Sequence, residues 1–108
     1  MALGVTLALL YVRGTSPRQP FPGIIHGLTG AVGLGLLILA LQGPRRGDAM
    51  GAGSFGMVAA VLFGLALAFG PLIWFLGRRA PPLAGGIIAV HASLAITAFV
   101  LFLAWASM

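Results

Sequence analysis

The chain has 108 residues, of which 60% are hydrophobic and 6% charged, with a net charge of +5 and no cysteine. Soluble domains carry about 25% charged residues, so water is not the main solvent of this fold. The missing thiols also exclude disulfides, thiol catalysis, iron–sulfur clusters and cysteine-type zinc sites. The arginines form three small clusters between apolar runs (Arg13 and Arg18, Arg45 and Arg46, Arg78 and Arg79), and Asp48 is the single acid. That is the pattern of loop arginines at lipid-headgroup level, not of a nucleic-acid surface.

Residues 2–12 are apolar and run into Arg13. Eleven helical residues rise roughly 16 Å, about half of a ~30 Å hydrocarbon core. The segment reads either as a half-span packed against its neighbours or as the end of a span that starts upstream of Met1. A signal peptide is disfavoured, since no basic region precedes the run and no small-x-small site follows it. A loop broken by Pro17, Pro20 and Pro22 comes next.

Residues 21–42 form the first full span, FPGIIHGLTGAVGLGLLILALQ, with His26 and no charge. Its glycines (Gly23, Gly27, Gly30, Gly33 and Gly35) would weaken a helix in water. Inside a membrane they mark a face that another backbone or a flat cofactor can approach closely. The loop 43–53 holds Asp48. Residues 54–77 form the next span, in which Pro71 is expected to cause a kink and free a carbonyl about one turn earlier. Trp74 precedes the Arg78–Arg79 pair by four residues, as an interfacial anchor does. A tight loop, RRAPP, leads to the last span, 82–107, which carries His91 and ends near Trp105.

The fold expected is therefore all-α: an integral membrane helical bundle of three full transmembrane helices plus a short N-terminal apolar helix, in one domain covering 1–108. If all four segments cross, Arg13, Arg18, Arg78 and Arg79 share a side against Arg45 and Arg46. The positive-inside rule then places the loops before His26 and His91 in the cytoplasm of a bacterial inner membrane, with both termini outside.

A shift of 65 residues superposes several landmarks: Arg13 on Arg78, Pro17 on Pro82, and His26 on His91. Gly27, Gly30 and Gly33 in one half then match Ala92, Ala95 and Ala98 in the other. The pattern suggests a parallel duplication of a helix pair, with the first segment a shortened copy of the third.

Both histidine spans enter from the same face, and helical rise puts the imidazoles roughly 9 and 14 Å deep. Offsets of four and seven residues keep Gly30 and Gly33 on the His26 face, and Ala95 and Ala98 on the His91 face. An ionisable residue inside a span is a functional-site hypothesis by default. Two neutral imidazoles from different helices can ligate haem b axially, with small residues leaving room for the porphyrin. Propionates would then meet Arg13, Arg18, Arg78 and Arg79. The competing reading is polar glue between helices, with Thr29, Ser93 and Thr97 as partners. A quinone contact, a bacteriochlorophyll ligand and a proton relay are further alternatives. Two histidines without a nearby carboxylate or thiolate make a poor non-haem metal site. Hydrolytic catalysis lacks its parts, because Asp48 is in a loop away from both histidines.

The segments HGLTGAVG from His26 and HASLAITA from His91 resemble b-type cytochrome membrane subunits of the cytochrome b561 style. The resemblance implies that His26 and His91 are axial haem ligands. Two-haem members of that style use four histidines, so one haem at most fits within this chain. The Arg-His pair of succinate dehydrogenase anchor subunits is absent, as is the membrane glutamate of small multidrug transporters. Two functions follow as expectations. One is a haem-b electron-transfer subunit working between a quinone and a partner complex. The other is a non-catalytic accessory subunit packed against a larger respiratory or photosynthetic complex. Either has the lipid bilayer and other membrane subunits as partners, and neither is a stand-alone enzyme.

Overall fold

The computed structural model describes residues 1–15 and 20–108; Pro17 and Arg18 lie outside the described residues. Four α-helices form: α1 (Ala2–Val12), α2 (Phe21–Leu41), α3 (Phe55–Arg79) and α4 (Pro81–Ala106), with a 3₁₀ turn at Asp48–Met50 between α2 and α3. No strand forms among the described residues. With 21, 25 and 26 residues, α2, α3 and α4 are long and apolar enough to cross a membrane, and α1 is shorter. The protein is an all-α integral membrane bundle.

The helix ends differ from the sequence expectation mainly at RRAPP. Helix α3 runs on through Arg79, and only Ala80, at φ −141° and ψ 67°, separates it from α4. Proline explains this. Pro81 and Pro82 take the first two helical positions, where a missing N–H costs nothing. The residue before a proline is pushed out of the helical region, so the break falls on Ala80. The same logic puts Pro22 inside the first turn of α2.

The α3–α4 hairpin is the body of the molecule. On α4, Ala84, Ala98 and Trp105 are buried, and Ile88, His91, Ala95 and Phe102 are half-buried between them. These positions alternate by four and three residues, the seam of antiparallel helices that pack knobs into holes. On α3 the matching seam is Gly56, Ala59, Phe63 and Ala66. Small side chains let the two backbones come close.

Helix α2 lies antiparallel on α3. A Cβ added at Gly56 would meet Leu41 at 2.7 Å and Trp105 at 2.8 Å, while Leu34 lies near Gly64 and Leu67 near Gly30. Leu37, Ala59, Ala60 and Trp105 form the packed core at the end of the bundle away from the histidines. The outward residues include Leu28, Val32, Leu36, Leu39, Val61 and Val100, each more than half exposed. In a membrane protein that surface faces lipid or a partner, since the helices satisfy their own backbone polar groups.

Candidate functional site: the histidine pair

His26 sits in the second turn of α2, and His91 near the middle of α4. Their rings meet, with centroids 6.0 Å apart and planes at 77°. The two histidines that the 65-residue offset superposes are thus brought together in space.

Each imidazole is held by the helix that precedes its own. His91 Nδ1 lies 2.8 Å from the carbonyl oxygen of Ala66 on α3. A carbonyl only accepts, so Nδ1 carries the proton, and Nε2 of the neutral ring keeps a lone pair. Pro71 has no N–H to give the carbonyl of Leu67. The carbonyl that His91 takes is therefore one residue before the gap in the α3 ladder, close to where the expected kink would free one. His26 instead leans on α1. A Cβ at Gly4 would stand 2.9 Å from His26 Cε1 and 3.4 Å from Nε2, so only glycine leaves room for the ring there. Tyr11 reaches α4, its hydroxyl 3.5 Å from a Cβ built at Gly85. Helix α1, short as it is, therefore touches both histidine helices.

Two of the partners expected for a polar-glue role, Thr29 and Ser93, are otherwise engaged. Thr29 donates to Ile25 O and Ser93 to Ala89 O, each at 2.8 Å within its own helix. Intrahelical back-bonding is the easiest way for a hydroxyl to satisfy itself in a membrane helix.

The small-residue strips divide. Gly33 looks onto open space, and a Cβ at Gly30 would lie 3.9 Å from Leu67. Ala95 is half-buried and Ala98 is 0% exposed, both within the α3–α4 seam. The glycine side of the pair is open, and the alanine side is closed by α3. Among the expected surface arginines, Arg78 stacks on Trp74, its guanidinium carbon 4.1 Å from the ring centroid, and Arg79 on Phe75 at 4.8 Å. Arg13 is exposed.

No third histidine, cysteine or carboxylate joins the two imidazoles among the described residues. The donor set is two imidazoles from different helices, one of them oriented by a hydrogen bond. Gly4 and Ala66 are the members that sequence reasoning missed. A glycine facing a histidine carries no signal until the register of α1 on α2 is known. Pro71, by contrast, did point to the neighbourhood of the carbonyl. No family model, curated protein or solved structure matches the chain.

Proposed function

We propose that the protein is a small membrane subunit that binds one haem b between His26 and His91 and passes electrons between a quinone and a partner protein. The observation that carries the reading is the ring separation. His26 comes from α2 and His91 from α4, and their rings stand together at one level with centroids 6.0 Å apart, so these are the two residues that would hold the iron. The His91–Ala66 bond adds to it, since ligating histidines regularly donate their other N–H to a backbone carbonyl. When bound, the haem supplies one-electron chemistry. Of the chain's own residues, His26 and His91 would hold the iron and the Ala66 carbonyl would orient the His91 ring. Gly30 and Gly33 would give a porphyrin room on the α2 side of the pair, whereas Ala98 is already packed against α3. Arg13, Arg78 and Arg79 would be the cations at the nearer surface for its propionates.

The second reading is an accessory subunit that does no chemistry, with the histidines acting as a polar clamp between helices. It is favoured by the uncovered surface of α2, where Gly23 and Gly27 on one side of the helix have open space beside them. A partner helix can approach closely there.

A reduced-minus-oxidised visible spectrum of the protein purified in mild detergent separates the two. A sharp low-spin α-band, lost in both His26→Ala and His91→Ala, supports haem ligation. A colourless protein, or a band that survives both changes, sinks it and leaves the clamp.

A further inference from the structure

At the end of the bundle opposite the histidines, the loop between α2 and α3 is a built structure. Gly47 and Gly51 take left-handed conformations, with φ of 79° and 71°. The N–H groups of Met50 and Ala52 both donate to Gly47 O, at 3.1 and 2.9 Å. Ala52 is 3% exposed, and the Asp48 carboxylate is folded against Gly53. The loop borders a half-open pocket of about 270 Å³ lined by Leu41, Arg45, Arg46, Asp48, Met57 and Trp105, among others. The Arg46 guanidinium carbon stands 5.6 Å from the Trp105 ring centroid.

The chemistry of this lining is mixed in a particular way. Leu41, Met57 and Trp105 give an apolar wall. Arg45 and Arg46 give two cations, and Asp48, the only acid in the chain, gives one carboxylate. The end of α2, the start of α3 and the end of α4 all converge here, so the pocket lies where spans leave the hydrocarbon core. Its contents should combine an anion, a nearby cation and an apolar tail.

We propose that this pocket binds a phospholipid headgroup of the phosphatidylethanolamine type. The phosphodiester is held by Arg45 and Arg46 and the primary ammonium by Asp48, and the upper acyl chains run along Leu41 and Met57. This assignment is independent of the histidine pair. Inorganic phosphate shares the anion chemistry but makes no use of the carboxylate or the apolar wall. Phosphatidylglycerol lacks the ammonium, and phosphatidylcholine offers no N–H to Asp48.

Trp105 is the built-in probe, because Trp74, the other tryptophan, sits at the opposite end. In a Trp74→Phe background in detergent, Trp105 emission is followed while each lipid, or inorganic phosphate, is added. The expected result is a saturable change with phosphatidylethanolamine, tighter than with phosphatidylglycerol or phosphatidylcholine, and none with inorganic phosphate. Each arginine removed in Arg45→Gln/Arg46→Gln should weaken binding about five- to tenfold. Asp48→Asn should erase the preference for phosphatidylethanolamine over phosphatidylcholine. Arg78→Gln/Arg79→Gln, the same charge loss at the far end, should change nothing. If the double loop variant does not fold, Arg45→Gln alone still tests the site, since Arg46 is the arginine stacked on Trp105. Equal binding by the arginine variants, a lipid order untouched by Asp48→Asn, or saturation by inorganic phosphate alone would overturn the proposal.

Discussion

His26 and His91 are each positioned by a group that has no side-chain chemistry of its own. For His91 it is the Ala66 carbonyl, and for His26 it is the empty space above Gly4. The second case gives a sharp prediction. In Gly4→Val a Cβ would sit 2.9 Å from His26 Cε1, so the ring or α1 must move. Overpacking of this kind costs about 1–3 kcal/mol. Thermal unfolding in detergent should show that loss, and His26→Ala should relieve most of it, because contacting residues are not additive. Gly35→Val, where nothing lies within 4 Å, should be close to neutral. Equal losses for the two valine variants would mean that α1 does not rest on His26. The sequence showed the two histidines and their shared interval, because both are marked by rare residues in an apolar background. It could not show Gly4, because seventeen glycines look alike until helices are docked.

At the scale of the helix, one stripe of α4 has to serve two purposes. Ala84, His91, Ala98 and Trp105 recur every seven residues, the period of a helix seam. Small residues after a histidine are thus ambiguous from sequence: they suit a flat cofactor and a close backbone equally well. Burial separates the two halves, since Ala98 is fully covered and Gly33 is open. Ala98→Leu should therefore destabilise the α3–α4 hairpin by about 1–3 kcal/mol, measured by unfolding in detergent. Ala89→Leu, on the exposed face of the same helix, should be tolerated. Were Ala98 part of a porphyrin slot, Ala98→Leu would instead lose bound pigment while the apoprotein kept its stability. The span count and the helix order were legible because length and apolarity decide them. The continuity of α3 almost to α4 was harder to read, since Pro81 and Pro82 serve a helix start as readily as a loop.

For the molecule as a whole, the two ends differ in charge and in what they hold. One end carries Arg78 and Arg79 on aromatic rings, with Arg13 following α1, whose Tyr11 reaches Gly85 at the start of α4; the other carries Arg45, Arg46 and Asp48 around the Trp105 pocket. The helix order puts these ends on opposite faces of a bilayer. The positive-inside rule counts arginines in short loops, and here it counts four, Arg13, Arg18, Arg78 and Arg79, against two. The chain has no cysteine, so single cysteines report sidedness cleanly. Ala80→Cys should react with a membrane-impermeant maleimide only from the cytoplasmic face, and Ala49→Cys only from the other. Labelling of both from one side would refute the three-span arrangement, and the reverse pattern would refute the orientation alone. The bias is small enough to tip. Arg78→Gln/Arg79→Gln leaves two arginines on each side, so a mixed population, with each cysteine reached from both faces, is the expected outcome. Unchanged one-sided labelling in that variant would mean that the arginine count does not set the orientation, and that packing of α1 and α2 during insertion does.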